Sequence, residues 1–360
     1  MKKYILLTPG PVNIKENIRR ALLKPDICHR EAEFSKILLG CRKKLLKAFK
    51  IENSHDVVFF SGSGTAAVEA AVISSVPRGK KILVINNGVY ADRMTVIAKR
   101  HKIDVIDLKF DITKRPDIGL VERKMKADKE IAVVAMVHHE TSTGLLNPID
   151  EIGKLCKRYG VLYLLDSVSS LGGEKLPFRK TPVDLCVGVA NKCIEGVPGI
   201  SFVLIRKKAI AKIERIQPRS LYFDIASNLR LQRKGDVAFT PAVQSFYAFD
   251  IALDELMKEG VERRIWRYKN TAALLRKGFV DLGLKYLIDP IYHSNTVTAL
   301  YLPQGLRYKK LHDTLKKKGL VIYAGQAKLK DIIFRVANMG QIKTKDIRRF
   351  LTYLKIILSK

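Results

Sequence analysis

The apolar run Leu162-Tyr163-Leu164-Leu165 ends in Asp166 and a string of small residues, Ser167-Val168-Ser169-Ser170-Leu171-Gly172-Gly173. A second apolar run, over 183–190, leads to Asn191-Lys192 and a Gly/Pro-rich turn, Cys193-Ile194-Glu195-Gly196-Val197-Pro198-Gly199. Buried parallel strands read as unbroken apolar runs and deliver functional side chains at their carboxyl ends. An acid and a lysine delivered in this way suit pyridoxal phosphate. The carboxylate pairs with the pyridine nitrogen and keeps it protonated, so the ring can act as an electron sink, and the lysine forms a Schiff base with the aldehyde. Each residue also has a plainer reading: an Asp after a strand is often a cap or turn residue, and most lysines are solvated surface charges.

A phosphate needs its own cradle. Val57-Val58-Phe59-Phe60 is a short strand-like run, followed by Ser61-Gly62-Ser63-Gly64-Thr65 and a small-residue helix over 66–74. Glycines allow close backbone approach, and a helix N-terminus offers free N–H groups with partial positive charge. The same residues would also make an ordinary tight turn with a Thr cap. Polar sets follow two other strand-like runs, Asn87-Gly88-Val89-Tyr90 and His138-His139-Glu140-Thr141-Ser142-Thr143-Gly144. The adjacent histidines project differently and no third ligand follows at metal spacing, so no metal is expected. Arg335 interrupts the apolar run Ile332-Ile333-Phe334-Arg335-Val336. A guanidinium there is either an anchor for an acidic substrate, through two parallel hydrogen bonds, or an edge-strand Arg facing water.

The elements that must position these residues alternate along the chain. Asn13 is placed to cap a helix over 14–23. A longer amphipathic helix over 33–49 follows Pro25-Asp26-Ile27-Cys28-His29-Arg30-Glu31, where His29 and Arg30 either start that helix or stand near the site. Strands over 81–85, 104–108, 131–137, 162–166 and 200–205 alternate with helices over 91–100 and 150–159. That rhythm predicts an α/β fold with a mostly parallel sheet covered on both faces. Residues 206–239 are largely polar, and Phe239-Thr240-Pro241 marks a sharp junction. A helical stretch over 243–282 is interrupted around Gly260. Strands over 296–302, 320–324 and 332–336 and helices over 308–318 and 343–359 have the order of a small α+β unit. The expected organisation is an extended segment over 1–15, a large α/β domain over 16–250 and a small domain over 251–360.

With 360 residues and 47% hydrophobic composition the chain is of the soluble globular class. No apolar run approaches the ~20 residues needed to span a bilayer, and the apolar stretch near the start is too short for a signal peptide. The net charge of +31 is spread along the whole chain, and no nucleic-acid module is apparent. The reading is a solvated basic surface that attracts anions without selecting them. Five cysteines form no C-x-x-C pair and no metal spacing. A reduced, cytoplasmic protein is expected.

Taken together, Thr8-Pro9-Gly10-Pro11, Ser61-Gly62-Ser63-Gly64-Thr65, Asn87-Gly88-Val89-Tyr90, His139-Glu140-Thr141-Ser142-Thr143-Gly144, Asp166-Ser167-Val168, Asn191-Lys192 and Phe334-Arg335 resemble, in order and spacing, the class V aminotransferases of fold type I. The resemblance covers essentially the whole chain. It implies a mostly parallel seven-stranded-type central sheet, a smaller C-terminal α+β domain and pyridoxal 5'-phosphate as cofactor. It also implies Lys192 as the Schiff-base lysine and proton carrier, Asp166 on the pyridinium and Tyr90 stacked on the ring. Ser63, Gly64, Thr65 and Asn191 would contact the phosphate, and Thr141 the ring hydroxyl. Thr240 would reach the phosphate of the other subunit in a homodimer with shared active sites. Arg335 would grip the anionic group of the amino donor and then of the 2-oxo acid acceptor. Residues 25–31 and 191–199 look most like the branch that converts 2-aminoethylphosphonate and pyruvate to phosphonoacetaldehyde and L-alanine. Residues 166–173 look equally like the serine/alanine:glyoxylate branch. A non-catalytic basic nucleic-acid-binding protein on the same scaffold is the remaining alternative. A cysteine desulfurase is disfavoured because Asn191 stands where those enzymes usually place a His.

Overall fold

A computed structural model describes residues 4–359. Its centre is a seven-stranded sheet built, in chain order, from β1 (His55–Ser61), β2 (Lys81–Asn86), β3 (Asp104–Lys109), β4 (Ile131–Val137), β5 (Leu162–Asp166), β6 (Leu185–Val189) and β7 (Ile200–Arg206). The spatial order is β1-β7-β6-β5-β4-β2-β3, and only β7 runs antiparallel to its neighbours.

The inner strands read as continuous apolar runs because both sheet faces are covered. Alternation along each strand then decides which face a residue serves. Val57 and Phe59 of β1, with Tyr163 and Leu165 of β5, enter a core shared with helix α1 (Ala32–Ala48). Val58 and Phe60, with Leu162 and Leu164, enter the opposite core, shared with helices α2 (Gly64–Ser75) and α3 (Val89–Arg100). Helix α2 carries small and aliphatic residues all round (Ala67, Ala70, Ala71, Val72), as a helix buried on every side requires. Helix α4 (Ile149–Tyr159) covers the α1 face and stops at Gly160, whose φ of 68° suits a residue without a Cβ.

Two helices, α5 (Val243–Glu259) and α6 (Val261–Asp281), lead to the C-terminal part and are separated by Gly260 at φ 83°. There β8 (Val297–Tyr301), β9 (Tyr323–Ala324) and β10 (Ile333–Ala337) form an antiparallel sheet with β10 in the middle. Helix α7 (Thr344–Leu358) closes this unit over its own core, which includes Leu275, Phe279, Phe334 and Phe350. The N-terminal segment joins it: Ile5–Leu6 pairs in parallel with Leu320–Val321, and Leu7 is part of that core.

Three local expectations differ from the structure. Asn13 does not cap a helix; its side chain exchanges hydrogen bonds with the backbone of Leu6, and the first helix is Glu16–Arg20 followed by a 3₁₀ turn. The polar stretch 206–239 holds two helices, Lys207–Glu214 and Ile225–Arg233. In the second, Ile225, Ala226 and Leu229 supply a one-sided apolar face, and Gln232 pairs with both backbone groups of Phe59, covering edge strand β1. The run 320–324 splits into two short strands that join different sheets. Arg335 is therefore not on an edge strand: it lies on β10, between Ala299 and Tyr323, and is buried.

Candidate active site

The same alternation that sorts the cores builds the floor of a cavity of about 170 Å³ at the carboxyl ends of the strands. Val133, Ala135 and Val137 of β4 point to the α2–α3 side, as do Leu162 and Leu164 of β5 and Leu185 and Val187 of β6. Continuing each series by two residues brings His139, Asp166 and Val189 to the cavity wall. Ser63, Gly64 and Thr65 enter from the start of α2, Tyr90 and Arg93 from α3, Thr141 from the loop after β4, and Asn191 and Lys192 from the loop after β6.

Asp166 accepts a hydrogen bond from Val168 N–H at 2.9 Å. Burial pushes its carboxyl up to about 6, opposed by that N–H and by the charges of Arg93 and Lys192. Lys192 is pushed the other way, down to about 8, chiefly by burial, with Arg335 and Arg93 adding to it and Asp166 opposing it. Its Nζ donates to Pro9 O. Gly10, at φ 124°, packs so closely that a Cβ there would stand 2.6 Å from Lys192 Cδ. His139 is buried with neither ring nitrogen partnered, and burial holds it neutral, its value lowered to about 3.

At the start of α2, Ser63 is the extended N-cap residue and makes no side-chain cap bond. The first N–H groups of that helix are therefore left for a ligand. A Cβ on Gly64 would lie 2.7 Å from Val168 Cγ1, so only glycine lets the helix start approach the Asp166 turn this closely. Thr65 Oγ1 accepts from Arg93 at 2.8 Å, and the Arg93 guanidinium lies 4.8 Å over the Tyr90 ring.

Next to the cavity, Arg335 Nη1 donates to Thr141 O at 2.8 Å and to Gln326 Oε1 at 3.2 Å, and Nε donates to Ala324 O at 2.9 Å. All three partners are neutral oxygens, and burial lowers the guanidinium from its ordinary value, opposed in part by Tyr90 and the Glu140 carboxyl. A buried cation held this way favours the arrival of an anion. Thr240 stands apart: it is exposed, in a groove lined by Tyr222 and Phe239, whose rings stack at 5.0 Å.

Sequence reasoning thus names eight of the residues that line the cavity (Ser63, Gly64, Thr65, Tyr90, Thr141, Asp166, Asn191 and Lys192) and the neighbouring Arg335. It misses Arg93, whose only signal is its position three residues after Tyr90, one helical turn away. It also gives no role to Glu140, which is fully buried, accepts from Tyr90 N–H at 3.1 Å and Ser142 Oγ at 2.6 Å, and is pushed up to about 7 by burial. Gly88 makes room for it, since a Cβ there would meet the Glu140 carboxyl carbon at 2.3 Å.

The Lys192 turn is held from behind. Glu195, at φ 65° and buried, bonds Arg267 Nη2 at 2.8 Å and Tyr268 Oη at 2.5 Å on α6. Arg264 of α6 donates to Cys193 O and Ile194 O.

A lysine and a carboxylate at adjacent strand ends, beneath a helix N-terminus and beside a buried arginine, define the class of the type I pyridoxal-phosphate-dependent transferases. The whole chain agrees. The family model for aminotransferase class V matches residues 17–344. The chain is 36% identical over 353 residues to the 2-aminoethylphosphonate–pyruvate transaminase of Bacillus cereus (strain G9842), covering 97% of this chain and 96% of that one. It superposes on the aspartate aminotransferase of subgroup IV from Thermus thermophilus with a TM-score of 0.90 at 29% identity, covering 98% of this chain and 99% of that one. The alanine–glyoxylate aminotransferase from Nostoc sp. gives 0.93 at 25% identity, covering 99% and 96%. The chain belongs to the class V aminotransferase family and is an aminotransferase. Among the described residues, no helix is long and apolar enough to cross a membrane.

Proposed function

We propose that this aminotransferase binds pyridoxal 5'-phosphate in the cavity and moves the amino group of 2-aminoethylphosphonate to pyruvate, yielding phosphonoacetaldehyde and L-alanine. The observation that carries the reading is the convergence of Asp166, Lys192 and the uncapped start of α2 on one cavity, with Arg335 hydrogen-bonded to neutral oxygens beside Thr141. The choice of substrate is supported by the 36% identity to the Bacillus cereus enzyme.

When bound, pyridoxal phosphate supplies an aldehyde that carries the amino group and a ring that takes up electron density. The N–H groups at Ser63, Gly64 and Thr65, with Asn191, would hold its phosphate, Tyr90 the face of its ring and Thr141 its ring hydroxyl. Asp166, as a carboxylate, would hold a proton at the ring nitrogen. Lys192, neutral in part near pH 8, would take the proton from the substrate carbon at Nζ and deliver it to the aldehyde carbon of the cofactor, on the far side of the amino nitrogen. Val68, Val137, Val168 and Val189 line the cavity with apolar surface. Arg335 has its Nη2 edge left for the phosphonate of the donor and the carboxylate of the acceptor, so one anion site serves both half-reactions. Thr240, exposed and away from its own cavity, suits a role in the partner subunit's phosphate site within a homodimer. Five free cysteines fit a cytoplasmic setting.

The test is a single half-reaction. Purified enzyme loaded with pyridoxal phosphate is mixed with 2-aminoethylphosphonate, serine or alanine, one at a time without acceptor, and the loss of cofactor absorbance near the visible edge is followed. Rapid conversion by the phosphonate, and by alanine as the reverse donor, is expected. Conversion by serine or alanine alone favours a glyoxylate-type enzyme, the reading supported by similarity to the Nostoc structure. A colourless protein that takes up no pyridoxal phosphate overturns both.

A further inference from the structure

Arg93 is unexplained by the roles assigned so far, although among the described residues it is one of three charged side chains that line the cavity, with Asp166 and Lys192. We propose that Arg93 is a positioning residue of the cofactor site, whose guanidinium clamps the Tyr90 ring to the Thr65 hydroxyl and fixes the ring platform relative to the phosphate cradle. The inference rests on the pyridoxal phosphate reading and adds to it a residue that acts through two others.

Three features of the geometry point the same way. The Arg93 guanidinium covers one face of Tyr90 at 4.8 Å, so the ring can stack a ligand only with its other face. Nη1 donates to Thr65 Oγ1 at 2.8 Å, which joins α3 to the first turn of α2 at the cavity wall. That bond takes the hydroxyl as acceptor and leaves its proton free for an anion. A planar, fixed-charge side chain is suited to both contacts at once, one through its face and one through its edge, and an ammonium is not.

Charge gives the clamp a second effect. The groups facing Lys192 are Asp166 from β5, Arg93 from α3, Arg335 from β10, the Cys193 thiol beside it and neutral His139 after β4. Arg93 favours the ionised form of Asp166 and the neutral form of Lys192, the states in which an acid can pair with a ring N–H and an amine can attack an aldehyde.

The experiment compares wild type, Arg93→Lys and Arg93→Met as apo-proteins, titrated with pyridoxal phosphate and separately with pyridoxal. Affinity is read from the induced dichroism of the bound chromophore, and apo-protein melting is recorded alongside. Arg93→Met is expected to bind pyridoxal phosphate about 10- to 100-fold more weakly, the range for losing a charge-assisted hydrogen bond. Pyridoxal, which has no phosphate to place against Thr65, should lose less. Arg93→Lys should restore only part of the affinity, and the dichroism of both variants should change as the Tyr90 platform moves. Tyr90→Leu and the double variant Tyr90→Leu/Arg93→Met complete a cycle in which the two losses are less than additive. Arg93→Met binding both ligands within about threefold of wild type, with unchanged dichroism, overturns the proposal, as do losses that add fully. Wild-type protein that binds no pyridoxal phosphate refutes the cofactor reading instead. If Arg93→Met does not fold, the Arg93→Lys and Tyr90→Leu chains carry the test, and full wild-type affinity in Arg93→Lys overturns the clamp.

Discussion

At the scale of single residues, burial does most of the chemical tuning. An ammonium must lose its proton to act as nucleophile or base, and burial brings Lys192 down to about 8. Because this value lies below the ordinary lysine range, the neutral form gains as pH rises through about 8 and is nearly complete well below the usual lysine value. The rate at which apo-protein captures pyridoxal phosphate should therefore climb through pH 8 and level off above it, read by stopped-flow absorbance. A midpoint close to that of free lysine would contradict the effect of burial. Lys192→Ala should lower turnover by at least about 10⁴-fold while leaving the fold intact, and Asp166→Ala by about 10²–10⁴-fold, both measured in single turnovers. Substantial activity in Lys192→Ala would remove the lysine from the chemistry.

Elements carry those residues into register. Alternate positions on β4, β5 and β6 face α2 and α3, which is why Asp166 stands on the phosphate-cradle side of the sheet while Leu165 enters the opposite core. The start of α2 can approach that turn only because Gly64 has no side chain to meet Val168. Gly64→Ala should cost about 1–3 kcal/mol of stability through overpacking and weaken pyridoxal phosphate binding, measured by denaturant unfolding and by titration. The Lys192 turn depends on α6 in the same way. Glu195 is buried against Arg267 and Tyr268, so Glu195→Ala leaves Arg267 without one of its carboxylates and releases the turn. A loss of about 3–5 kcal/mol is expected on unfolding. Unchanged stability would show that the Arg264 bonds to Cys193 O and Ile194 O suffice alone.

For the whole molecule, the proposed homodimer makes a prediction of its own. Lys192→Ala and Thr240→Asp chains should each be inactive, yet unfolding and refolding them together should restore about a quarter of wild-type activity. Random pairing makes half the dimers mixed, and each mixed dimer keeps one intact site of two. No recovery, with dimers present by ultracentrifugation, would place Thr240 outside the partner's site. The 66 Lys and Arg against 35 Asp and Glu give the chain a large positive excess. Such an excess draws anionic ligands at a rate that falls with ionic strength, and in the proposed function substrate identity is left to Arg335.

The βα rhythm, the small-residue helix after the glycine turn, the strand-end acid and the lysine were all legible in the sequence, because strand period, helix caps and turn residues are local properties of a chain. Arg93 looked like one of 66 basic residues, and Glu140 stood in a strand-end polar set with no role of its own, since neither carries a local mark of what it will touch. The polar segment 206–239 hid two helices, the second of which is held by packing Ile225 and Leu229 in the sheet core, not by a strong periodic stripe. Arg335 was ambiguous for the same reason. Its strand could be read from sequence, but a central or an edge position depends on pairing with both β8 and β9, and β8 lies more than thirty residues earlier in the chain. The sequence by itself determined which segments become strands and helices and which side chains end them. Only the tertiary structure decided which of those ends meet, because burial, charge coupling and the clamp on Tyr90 exist only between residues that folding brings together.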